Sequence, residues 1–256
     1  MSFRGLAPLP EQLSGVRYLF TDIDDTLTTE GRLLPQTYQA LWDLHAAGIA
    51  IVPVTGGSAG WCEHIVRAWP VAAVIGESGA FAMTLKNGQV ETEFWEGEVS
   101  QVQRQIQHLK AIEPLLGSFG LSRDQRFRLA DIAIEIAGHS RQNIDALADA
   151  IRSTGGFVAI SSIHINTWMG TYNKQTMSER LLRRFDVGPD KIFSSTAFVG
   201  DSRNDAPMFA YFINTFGVAN ILPVLDDLAA KPRWICLRPA GLGFVDVAKA
   251  VISAKK

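Results

Sequence analysis

The sequence predicts an α/β protein: a parallel sheet with helices on both faces, interrupted by an inserted α+β unit. Three observations predict it. Apolar runs at 17–23, 49–55 and 71–76 alternate with stretches whose apolar residues recur at helical spacing, the pattern of buried parallel strands joined by crossover helices. Between about 82 and 168 this rhythm gives way to alternating residues and a hairpin signal. After Tyr172, strand and helix alternate again. Residues 1–81 and 169–256 are therefore expected to form one core domain, with 82–168 inserted in it.

The elements follow in order. The first strand covers 17–23. Pro35 opens a helix, PQTYQALWDLHAAG, with Leu41, Leu44 and Ala47 on one stripe and Gly48 as its stop. IAIVPVT (49–55) is a strand, Ser58 starts a helix that ends near Pro70, and VAAVIG (71–76) is a third strand. In the insert, FAMTLKNGQVETEFW is a hairpin turning at Asn87-Gly88. A polar helix covers 98–116, FRLADIAIEIAG is a strand, 140–154 a helix, and GFVAISSIHINTW one or two strands. The core resumes with a helix over 174–185, a strand at 195–200, a short helix at 205–211, a strand at 214–220 and a helix at 221–230. A strand at WICL and a last helix from Phe244 close the pattern.

Composition excludes several classes. With 47% hydrophobic and 20% charged residues, the 256-residue chain is globular rather than disordered. A net charge of −2 leaves no basic footprint for nucleic acid. Cys62 and Cys236 stand far apart in no metal-binding spacing, as reduced thiols of a cytoplasmic protein would. MSFRGLAPLPEQL has no apolar run of the secretory type, and no window of about 18 apolar residues suggests a membrane span. The expectation is a soluble, cytoplasmic protein. The five histidines show neither metal nor triad spacing, and the Gly-rich GESGA and TGGS match no dinucleotide or Walker pattern.

Parallel α/β sheets bind ligands beyond the carboxyl ends of their strands. Asp22, Asp24 and Asp25 follow the first strand, and Thr55-Gly56-Gly57-Ser58 the second. GDSRND (200–205) follows the strand after the insert, and Lys174 opens the helix before it. Five carboxylates and one ammonium are thus expected on one rim. Carboxylates a few ångströms apart repel by about 1–4 kcal/mol, so such a cluster destabilises the fold unless something offsets it. A hard divalent cation would, because carboxylate oxygens suit Mg²⁺.

DIDDT (22–26), a strand ending in Thr55, Lys174 and GDSRND, in that order, resemble the four motifs of the haloacid dehalogenase superfamily of phosphohydrolases. An insert between the second and third motifs resembles the subgroup with a large α+β cap over a Rossmann-like core, which includes Cof-type, sucrose-phosphate and mannosyl-3-phosphoglycerate phosphatases. The likeness extends to the closing GLGFVDVAKAVI. It implies that Asp22 is a nucleophile forming an aspartyl-phosphate, and that Asp24 is the general acid and then base. It implies Mg²⁺ on Asp22, the Asp24 carbonyl and Asp201, with Asp205 as a further ligand, a supporting residue or a helix cap. Thr55, the Gly56 amide and Lys174, assisted by Asn204, would hold the phosphoryl oxygens.

In the cap, Arg126, Arg128, His164, Asn166 and Trp168 are candidate substrate contacts, with packing as the alternative for each. Asp25 is read as a local hydrogen-bonding residue. Two positions depart from the family pattern: Gly57, where relatives often carry Arg, and Ser78, where they often carry Asn. The expected activity is Mg²⁺-dependent hydrolysis of a small phosphorylated metabolite, most simply a sugar phosphate. The alternatives are a phosphomannomutase-like phosphosugar mutase and a non-catalytic phosphometabolite-binding protein.

Overall fold

The computed structural model describes residues 2–161 and 163–255. α1 (Pro10–Leu13) leads to β1 (Tyr18–Thr21), α2 (Pro35–Ala46), β2 (Ala50–Pro53), α3 (Ala59–Ala68) and β3 (Val74–Gly76). A hairpin of β4 (Phe81–Lys86) and β5 (Gln89–Phe94) follows, then α4 (Glu98–Ile112), β6 (Ile132–Glu135), α5 (Arg141–Ser153), β7 (Phe157–Ile160) and β8 (His164–Trp168). After these come α6 (Lys174–Arg184), α7 (Pro189–Ser195), β9 (Thr196–Gly200), α8 (Ala206–Tyr211), β10 (Asn214–Gly217), β11 (Trp234–Ile235) and α9 (Ala240–Ser253).

The central sheet is parallel throughout, in the order β11-β10-β9-β1-β2. Successive side chains of a strand face opposite ways, and both faces are covered. Leu19, Ile51, Ala197 and Val199 join α2 and α9 in one apolar cluster, with Leu41, Leu44, Phe244 and Val247. Phe20, Val52 and Phe198 join α6 and α8 in the other, with Met177, Leu181, Met208 and Phe209. Burial on both faces is why these strands read as unbroken apolar runs; each fully buried Leu or Phe side chain is worth about 1.5–3 kcal/mol. Strand order reverses at β1, between β9 on one side and β2 on the other. Such a reversal opens a crevice at the strand tips.

β3 joins the edge through a parallel bridge from Val54 to Ile75 and pairs antiparallel with β4. The hairpin turns at Asn87 and Gly88, both with positive φ (52° and 77°), as its two-residue turn requires. Phe81 and Met83 pack in the same cluster as Cys62 and Ile65 of α3, with Phe94 against it. The hairpin therefore shares an apolar cluster with α3.

The rest of the insert is an antiparallel sheet, β6-β8-β7, with α4 and α5 on one face. Its own apolar cluster contains Ile112, Ile132, Ile134, Ile144, Leu147, Ile151 and Ile165. Period-two alternation sorts β8: Ile165 and Thr167 are buried toward the helices, where His108 bonds Thr167 Oγ1 at 2.8 Å. His164, Asn166 and Trp168 face the other way, toward the core.

Three expectations change. The stretch 219–227 is a 3₁₀ segment rather than an α-helix, because Pro223 inside it supplies no amide donor. α9 starts at Ala240, ahead of Phe244; Gly241 and Gly243 lower the local helix propensity, and close packing on the core overrides it. α7, with Pro at its start, has no counterpart in the sequence reading. Cys62 and Cys236 are both buried and unpaired with each other. Among the described residues no helix is long and apolar enough to cross a membrane.

Candidate active site

Register brings three strand tips together. Thr21, the last residue of β1, lies beside Pro53 of β2 and Val199 of β9. The next residues are Asp22, Val54-Thr55 and Gly200-Asp201, and the Asp22 amide still donates to the Val199 carbonyl at 2.9 Å. Beyond β1 the chain turns at once: Asp25 has φ of 59°, a conformation Asp tolerates, and its amide donates to Thr28 Oγ1. Asp22 and Asp24 thereby leave the sheet on the cavity side.

Lys174, the first residue of α6, is 7% exposed and reaches into this crevice. Asn173 caps α6 through its side chain, which fixes where the lysine starts. Lys174 Nζ lies 2.5 Å from Asp22 Oδ1, 2.9 Å from Asp205 Oδ1 and 3.5 Å from Asn204 Oδ1. Against the effect of burial, Asp205 and Asp22 hold the ammonium well above the usual lysine range. Asp205 is fully buried; its Oδ2 accepts from the amides of Asp201 and Ser202 and closes the 201–205 turn.

One ammonium does not balance the carboxylates. Asp22, Asp201 and Asp205 each present an oxygen, and the three lie within 4.8 Å of one another. Burial, with Asp205 and Asp24 adding repulsion against the pull of Lys174, pushes Asp22 up to about 8. Burial and the charges of Asp22 and Asp205 push Asp201 to about 9. Burial also raises Asp24, with Lys174, His164 and Arg128 pulling it down. A set of hard oxygen donors with excess negative charge fits a hard divalent cation.

These groups floor a cavity of about 840 Å³ roofed by β7 and β8 of the insert. Asp22, Asp24, Gly56, Lys174, Asp201 and Asn204 line it from the core, and Arg128, His164, Asn166 and Trp168 from the insert. Thr55 and Asp205 lie buried just beneath the lining. Arg126 lies elsewhere: its guanidinium sits over the Phe127 ring, 4.8 Å from the centroid, beside a separate groove against β5.

Several contributors were not among the site residues expected from the sequence. Asn220, just after β10, donates to Asp201 Oδ2 and to the Asp25 carbonyl, both at 3.0 Å, and accepts from the Ala240 amide. Thr26 donates to Asp201 Oδ1 at 3.0 Å. Together they aim the Asp201 carboxylate. Glu77, fully buried at the end of β3, accepts from the amides of Ala59, Leu129, Ala130 and Asp131. Asp131 in turn accepts from Arg128 at 2.7 Å and Asn166 at 2.9 Å. An Asn or Glu in a loop is unremarkable until the fold brings a partner to it.

No family model matches the sequence, and no curated protein matches it significantly. Solved structures do. The sucrose-phosphatase of Synechocystis sp. PCC6803, solved with sucrose and phosphate, shares 16% identity at a TM-score of 0.68, covering 93% of this chain and 98% of its own. The HAD subclass IIB sugar phosphatase BT4131 shares 15% at 0.64, covering 92% and 97%. A haloacid dehalogenase-like hydrolase from B. subtilis shares 14% at 0.67, covering 91% and 99%. Across nearly its whole length, then, the chain shares the fold of these solved structures, and its own acidic crevice lies at the strand tips beneath β7 and β8.

Proposed function

We propose that the protein is a Mg²⁺-dependent phosphomonoester hydrolase that uses Asp22 as nucleophile and acts on a sugar phosphate or a similar small phosphorylated metabolite. One observation carries this reading: Lys174 Nζ bridges Asp22 and Asp205 at the floor of the cavity, with Asp201 beside them. A buried nucleophile with a fixed ammonium and an acid two residues away is more than binding requires. The phosphatase likenesses support the same class.

Asp22 and Asp201 carboxylates and the Asp24 carbonyl would hold Mg²⁺. Both Asp205 oxygens are already taken by Lys174 and the 201–202 amides, so Asp205 serves better as the anchor of Lys174 and of the turn. The cation supplies charge neutralisation, so that an anionic nucleophile can approach an anionic phosphoryl group.

Lys174 fixes the Asp22 carboxylate through Oδ1, and this carboxylate attacks phosphorus. The Asp22 O–P bond forms as the bond to the leaving oxygen breaks, and Asp24 gives that oxygen its proton. Burial favours the protonated Asp24 this step needs. Asp24 then takes a proton from water as the water attacks phosphorus; the Asp22 O–P bond breaks and phosphate leaves. Thr55, the Gly56 amide and Lys174 hold the phosphoryl oxygens, with Asn204 beside Lys174.

The insert, 82–168, acts as a cap that excludes water and contacts the leaving group, with His164 on the cavity wall as a candidate contact. The setting in this reading is cytoplasmic, and the partner a small molecule rather than nucleic acid.

The test is phosphate release from a panel of phosphorylated sugars, glycerates and nucleotides, with Mg²⁺ and with chelator. Release that needs Mg²⁺ and drops at least about 10³-fold in Asp22→Asn is expected. Turnover by Asp22→Asn at the native rate would refute the nucleophile assignment.

A further inference from the structure

Arg128 and Asn166 line the cavity, which invites the view that they touch substrate. Their hydrogen bonds go elsewhere. Arg128 Nη1 donates to the Gly56 carbonyl at 2.8 Å and to Asp131 Oδ1 at 2.7 Å. Its Nε and Nη2 donate to the two oxygens of Asp124. The Asn166 amide donates to the same Gly56 carbonyl at 3.1 Å and to Asp131 Oδ2 at 2.9 Å. Both side chains belong to the insert and both are buried.

The Gly56 carbonyl shares a peptide unit with the Gly57 amide, and that amide donates to Thr55 Oγ1 at 2.9 Å. One rigid plane is therefore held at both ends, by the insert at its oxygen and by Thr55 at its nitrogen. A hydroxyl that accepts from an amide keeps its own proton to donate. The loop is also closely packed, so that a larger residue would need its neighbours to give way. A Cβ on Gly56 would lie 3.2 Å from Asn166 Oδ1, and one on Gly57 3.0 Å from the Trp61 ring and 3.2 Å from Thr55 Oγ1.

Resting on the assignment of Thr55 and Gly56 to the phosphoryl group, we propose that Arg128 and Asn166 are positioning residues for the phosphate loop. They fix the Gly56–Gly57 peptide and through it the donor direction of the Thr55 hydroxyl. The consequence is specific. A residue that sets the phosphate loop affects every phosphate ester alike, whereas one that touches the leaving group discriminates between esters.

The experiment compares the native protein with Asn166→Ala, Arg128→Lys and, as a control, Gln105→Ala. Gln105 donates from α4 to the Asp131 carbonyl at 2.7 Å and does not reach Gly56, so its loss loosens the insert alone. Two readouts are taken: the dissociation constant for inorganic phosphate with Mg²⁺ present, and kcat/KM for p-nitrophenyl phosphate and glucose 6-phosphate. Asn166→Ala and Arg128→Lys should each weaken phosphate binding about tenfold, with matching losses on both esters, while Gln105→Ala stays near native. Unchanged phosphate binding in both variants, losses differing about tenfold between the esters, or an equal effect of Gln105→Ala would each overturn the proposal. A native protein that binds phosphate but hydrolyses neither ester counts against the hydrolase reading, and the positioning role is then decided by the phosphate constants alone.

Discussion

Two clusters of buried charge lie within the same molecule and resolve differently. Around Glu77, every carboxylate finds donors: four backbone amides on Glu77, Arg128 and Asn166 on Asp131, and Arg128 on Asp124. Around Asp22, Lys174 meets Asp22 and Asp205, and Thr26 and Asn220 meet Asp201, but Asp22, Asp24 and Asp201 line a cavity. Burial raises Glu77 and Asp22 alike, to about 8 in each case, so the shift does not separate them. Access does: Glu77 and Asp131 do not line the cavity, whereas Asp22, Asp24 and Asp201 do. A closed network fixes one arrangement of core and insert, whereas carboxylates on a cavity wall are poised for a ligand that brings positive charge.

The largest effect that would test this contrast is Lys174→Met. Removing the ammonium strands Asp22 and Asp205 as buried unpaired charges, which should cost about 3–5 kcal/mol at pH 8 in chelator, measured by urea unfolding. The loss should shrink at pH 5, where Asp22 holds a proton. A variant as stable as the native protein at pH 8 would mean that the two clusters do not differ as argued.

Glu77→Gln sharpens the other side. The side-chain amide keeps one acceptor oxygen but faces the remaining backbone donors with N–H groups, so about 2–3 kcal/mol should be lost. Amide exchange at Leu129, Ala130 and Asp131 should quicken by a matching factor. Slow, native-like exchange at those three amides would break the picture of a saturated junction.

The smallest effect is a pH slope. In chelator, Asp22 and Asp201 titrate near 8 and 9 in the folded chain and near the ordinary aspartate range when unfolded. The folded state therefore binds more protons between about pH 4 and 9, and stability must fall as pH rises through that window. The melting temperature should drop from pH 6 to pH 8. Saturating Mg²⁺ should flatten the slope, since the cation then competes with the protons. A rising melting temperature over that range in chelator would contradict the under-neutralised rim.

Much of the rim was legible because its logic is local. Each of Asp22, Thr55 and Asp201 follows directly on an apolar strand, and a buried parallel strand announces itself as an unbroken apolar run. Lys174 sits at a helix start, another local signal. The junction was not legible, because its pairs are far apart in sequence. Glu77 meets residues 129–131, and Gly56 meets Arg128 and Asn166. Arg128 and Asn166, expected as substrate contacts or packing residues, line the cavity and bond to Gly56 and Asp131, and nothing in NTW or FRL tells which way a polar side chain will turn. Arg126 carries the same charge two residues from Arg128 and faces another groove.

The sequence by itself determined which strands are buried on both faces, where the chain turns at their tips and which acidic and basic residues stand there, because periodicity and turn chemistry act over a few residues. Only the tertiary structure decided that the hairpin packs with the core, that Asn220 and Thr26 aim Asp201, and that the insert grips the Gly56 carbonyl. Those choices depend on surfaces meeting across more than fifty residues of chain, where shape and the demand that every buried polar group be paired select the partner.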